Sequence, residues 1–82
     1  MVQRQHPLLK LLHLQGLERR YTDEHGPASA ERIAVLCRQA TVHEVLAERA
    51  ETAADRDEHR ARAAALRQTR ERLGDAAEPA GR

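Results

Sequence analysis

Five histidines and one cysteine are the side chains here, beyond the acids, whose types are suited to metal binding or nucleophilic chemistry. His43-Glu44 opens like the H-E-x-x-H helix of zinc hydrolases, but the position four after His43 is Ala47, and His6, His13, His25 and His59 supply no alternative ligand spacing. No metal site is expected. Cys37 and His43 project from different sides of one helix and form no dyad, so only His13, arriving from a neighbouring helix, can approach the thiol. Asp55 and His59 stand four apart, which reads as an exposed helix pair. With no orienting third group, no oxyanion hole and no Gly-rich phosphate loop, the sequence predicts no enzyme, no cofactor and a structural role for Cys37.

Leu8-Leu9-Lys10-Leu11-Leu12 matches the L-x-x-L-L pattern by which short helices enter hydrophobic grooves. Any leucine-rich amphipathic helix satisfies it, and the sequence assigns these leucines to the core. The run from Leu8 to Leu17 is interrupted by Lys10, His13, Gln15 and Gly16, so it reads neither as a signal peptide nor as a membrane span. A cytoplasmic protein with no membrane partner is expected.

The elements that must carry these residues are helices. Of 82 residues, 40% are hydrophobic, but many of those are Ala, so the core is small and one domain is the upper bound. Tyr21 is the single aromatic, which removes stacking platforms for nucleic acid and aromatic-lined cofactor pockets. Lys+Arg at 14 against Asp+Glu at 13 gives no gross electrostatic bias.

The sequence predicts an all-α helical hairpin with a short first helix and a long Ala/Arg/Glu-rich second helix, oligomerising into a helical bundle or coiled coil. Residues 1–6 read as a loose N-terminus. Pro7 suits a first helical position, the first helix is expected over about 7–24, and His25-Gly26-Pro27 closes it. Ser29 is the expected N-cap of the second helix, which runs to about residue 73 because neither Pro nor Gly interrupts it. That continuous helix would be roughly 65 Å long. A break near Thr41 or Asp57 would instead fold its distal part back as a third helix. Gly74 is the expected stop, with 74–82 a disordered tail.

Three stripes run along the second helix. Leu36, Ala40, Ala47, Ala50, Ala54 and Ala61 form a small-residue seam, Glu44, Glu48, Glu51 and Asp55 an acidic ridge, and Arg49, Arg56, Arg60 and Arg67 a basic one. Like charges four apart repel mildly, so the ridges make most sense where another helix brings the opposite charge. The first helix is too short to cover the distal half, which predicts a homo-oligomer, with a dimer favoured, and a protein partner.

The expected function is thus a non-enzymatic protein–protein interaction module, a small bacterial regulatory or adaptor protein acting by helix-to-helix recognition. A DNA- or RNA-associated regulator using the six arginines between Arg56 and Arg72 is possible but not favoured, and a structural part of a cellular or phage particle is a third reading. The stretch from Leu46 to Gly74, LAERAETAADRDEHRARAAALRQTRERLG, resembles in composition the Ala/Arg/Asp/Glu-rich helical linkers of actinobacterial signalling proteins, a resemblance that transfers no functional residue.

Overall fold

The computed structural model describes residues 6–77. They form three helices, α1 (Pro7–His25), α2 (Ala30–Glu48) and α3 (Ala53–Ala77), and no strand lies among them. The chain is all-α, as its composition requires.

Helix α1 begins as Pro7 predicts, and it is capped by His6, whose Nδ1 accepts the Leu8 N–H at 3.1 Å. His6 therefore belongs to the helix start and not to a loose segment; the rest of that segment, 1–5, lies outside the described residues. The helix ends where Gly26 takes φ +95°, a left-handed conformation open to glycine without Cβ strain, and its N–H returns to the Thr22 carbonyl at 3.0 Å. Ser29 caps α2, its Oγ accepting the Arg32 N–H at 3.1 Å. Ser29→Ala is expected to cost about 1 kcal/mol, read as a lower urea midpoint with unchanged slope.

The single long second helix is not formed. Its chain breaks at residues 49–52 and α3 folds back along α2, so the longest extent of the molecule is 47 Å, well short of the expected rod. Neither Gly nor Pro is needed, because Arg49 leaves the helix at φ −95°, ψ 0°, which any side chain can adopt. Thr52 then restarts it: its Oγ1 accepts the Asp55 N–H at 3.1 Å. Thr52-Ala53-Ala54-Asp55 is a Thr-x-x-acid capping sequence, the local signal for this break, which falls between the two expected break points, Thr41 and Asp57. At the other end α3 continues through Gly74 to Ala77, past the expected stop, and the distal tail 78–82 lies outside the described residues.

Helix α2 is central. Helices α1 and α3 each pack against it and not against one another. On the α1 side Leu11, Leu14, Val35 and Val42 form a buried cluster that Leu17, Tyr21 and Leu46 flank. Beside it, Glu18 ties three segments together. Arg32 donates to Glu18 Oε2 from Nε and Nη2 at 3.2 and 3.0 Å and to the Pro27 carbonyl at 2.7 Å, while the buried Gln39 donates to Glu18 Oε1 at 2.8 Å. Because Gln39 has surrendered its water, this carboxylate fixes the register of α1 on α2.

On the other side, α2 presents Leu36, Ala40, His43 and Ala47, at helical steps of four, three and four, all buried. Helix α3 answers with His59, Ala63, Leu66 and Leu73, of which Ala63 is 3% exposed. Alanines at this contact let the two backbones approach closely, which an extended helix in water would not exploit.

Candidate functional site

Two features stand out from this scaffold: an apolar face left on α1 and a histidine pair held between α2 and α3. Leu8, Leu9 and Leu12 are 49%, 54% and 65% exposed, although Leu11 and Leu14 of the same helix are buried. Leu12 is four residues from Leu8 and three from Leu9, both neighbour spacings on a helix, so these three form one continuous patch near the α1 N-terminus. The sequence assigned them to the core. The α1–α2 pairing needs only the stripe of Leu11, Leu14 and Leu17, and α3 packs on α2 and not on α1.

His43 and His59 meet across the second interface with Nδ1 atoms 3.0 Å apart and rings tilted by 31°. One ring must carry its hydrogen on Nδ1 and the other must leave that nitrogen bare. Burial lowers the pKa of His43 from the ordinary histidine value, and the facing His59 and then Arg62 push in the same direction, against a smaller opposing pull from Glu58. Helical periodicity puts His43 on the same face as Leu36, Ala40 and Ala47, but gives no sign of His59 as its partner, because contact between residues 16 apart requires the turn at 49–52.

Cys37 and His13 do line one groove, about 450 Å³ in volume, together with Lys10, Leu14, Arg38, Thr41 and Val42. Among the described residues no group of three or more His, Cys, Asp or Glu is placed to hold a metal ion. None of the described helices is long and apolar enough to cross a membrane.

The predicted seam divides. Leu36, Ala40 and Ala47 are buried on α2, Ala50 is half-buried in the turn, and Ala54 and Ala61 are exposed on α3. The break rotates and reverses the chain, so one helical wheel cannot hold all six. It also interrupts the acidic ridge. Glu44 and Glu48 stay on α2, Glu51 enters the turn, and Asp55 joins the first turn of α3.

The opposite charge expected from another helix is supplied within the chain, since Arg67 of α3 reaches Glu44 at 2.7 Å. Glu48 and Arg60 edge the neighbouring α2–α3 groove with Ala47, Ala63 and Ala64. Arg49 and Arg56 are exposed, and Arg56 lies 3.4 Å from Asp57. Exposed pairs of this kind contribute little to stability.

The chain matches no family model, no curated protein and no solved structure. Its own surfaces are the guide to what it does.

Proposed function

We propose that the chain is a non-enzymatic helical interaction module, an adaptor-type protein that docks through Leu8, Leu9 and Leu12 of α1, in the first instance onto a second copy of itself. The observation that supports this is the exposure of three contiguous leucines in a chain poor in large apolar residues. Scattered exposed leucines are ordinary, but a contiguous apolar patch costs free energy in water until something covers it.

Size sets the strength. Covering a half-exposed leucine recovers roughly 1 kcal/mol, so six leucines across a two-fold interface recover roughly 6 kcal/mol. Association itself costs about 4–15 kcal/mol, so the dimer is weak and concentration-dependent. The α1 face thus replaces the alanine seam as the proposed contact surface, because folding back of α3 occupies Leu36, Ala40 and Ala47.

The test is sedimentation equilibrium of the wild type beside a Leu9→Arg/Leu12→Arg variant, with circular dichroism as the check on folding. A wild-type dimer that becomes monomeric in an equally helical variant is the expected result. A wild type that stays monomeric into the millimolar range, or a variant that dimerises as well as the wild type, overturns the proposal.

A further inference from the structure

We propose that the His43–His59 pair is a proton-operated catch that holds α3 against α2 near neutral pH and releases α3 in mild acid. The geometry carries this: two imidazoles from different helices face each other Nδ1 to Nδ1 at 3.0 Å, with His43 buried. The catch does not depend on the leucine face of α1.

One proton more or less is not equivalent at each step. When the pair holds a single extra proton, the charged ring donates to the bare Nδ1 of the neutral one and the hydrogen bond survives. A second proton sets two N–H donors, each on a charged ring, against each other at the same distance, so the contact between the rings turns repulsive.

Charges of both signs surround the pair. From α3, Glu58 favours a charged His43 and Arg62 opposes it. On α2, the adjacent Glu44 is engaged by Arg67. At the hinge, His59 shares a shallow hollow with His6 from the start of α1 and with Arg49, Glu51 and Asp55, two basic and two acidic groups.

The rest of the α2–α3 contact suits a movable arm. Besides Leu36 and the half-buried Leu66 and Leu73 it consists of small side chains and one half-exposed ion pair, the arm joins the body through residues 49–52, and α1 and α3 do not pack against one another. The sign follows from burial. His43 of α2 binds a proton less readily while α3 is docked over it than after α3 is released, so acid favours release. Docking is fully present above the ordinary histidine value of about 6.5. It weakens as pH falls from there toward the lowered docked value, by up to about tenfold in the docking constant per pH unit for the one linked proton.

The experiment places spin labels at the exposed positions 38 and 72, on α2 and α3, in a Cys37→Ser background, and measures their separation from pH 7.5 down to pH 5. A second pair at positions 15 and 38, on α1 and α2, reports the body. The expected result is a long-distance population for the first pair that grows below about pH 6.5, an unchanged second pair, and loss of the pH response in His43→Gln, whose amide can accept a hydrogen bond but does not titrate. Constant separation for the first pair across the range overturns the proposal. So does parallel separation of both pairs, which is global unfolding, or an unaltered pH response in His43→Gln. Should that variant not fold, the two wild-type label pairs decide the question by themselves.

Discussion

Replacing Ala63 with Arg is expected to lift α3 off α2, whereas the same replacement at Ala61, two positions away, is expected to leave the protein folded as before. Ala63 is 3% exposed and lies beside Ala47 and Glu44 along the α2–α3 groove, so an arginine there has no room between the two helices at their present separation. Overpacking alone costs about 1–3 kcal/mol, and the buried charge adds to it. Ala61 is exposed on the outer side of the same helix, where a long charged side chain changes stability by no more than about 0.5 kcal/mol. Helix propensities of Ala and Arg are similar, so the contrast isolates packing from intrinsic helicity. Urea unfolding followed by far-UV circular dichroism checks both variants. An Ala63→Arg protein as stable as Ala61→Arg would mean that α3 does not dock through this face.

Leu36→Ala is the second large effect. Leu36 is 2% exposed and is the largest fully buried side chain, one turn before Ala40 and two before His43 on α2. Truncating a buried leucine costs about 2–5 kcal/mol, through lost transfer energy and the cavity left behind. A chain of this size has on the order of 4–12 kcal/mol in total, so the variant is expected to lose a large share of its stability and to populate unfolded chains at moderate temperature. Leu12→Ala serves as the contrast. At 65% exposure Leu12 leaves no cavity, and its truncation should move the thermal midpoint by only a few degrees or less. Equal losses at the two positions would reverse the assignment of inside and outside.

Much of the local structure was legible from the residues themselves. Pro7, the Gly26-Pro27 stop and the Ser29 cap mark the start and end of α1 and the start of α2 to within a residue, because each acts through backbone geometry that a few neighbours decide. The all-helical class followed from the abundance of Ala, Arg, Glu and Leu, and the buried α2 face of Leu36, Ala40 and Ala47 followed from helical periodicity.

The break at 49–52 was written in Thr52 and Asp55, but a capping sequence is only a local option, and high helix propensity on both sides argued against using it. What decided it was non-local. An unbroken helix would have left the small-residue faces of α2 and α3 in water, and folding back brings them together for the loss of a few helical hydrogen bonds that the turn and its caps largely replace.

The same event places His59 on His43 and Arg67 on Glu44, pairings with no sequence periodicity to announce them. It also explains the leucines. Periodicity marks Leu8, Leu9 and Leu12 as apolar, but whether an apolar face is core or surface depends on which helix arrives to cover it, and α3 packs on another face of α2 and not on α1. Helical character is a sum of short-range preferences and was therefore determined by the sequence alone. The inside and outside of this small fold depend on which of several possible faces pair, and only the tertiary structure decided that.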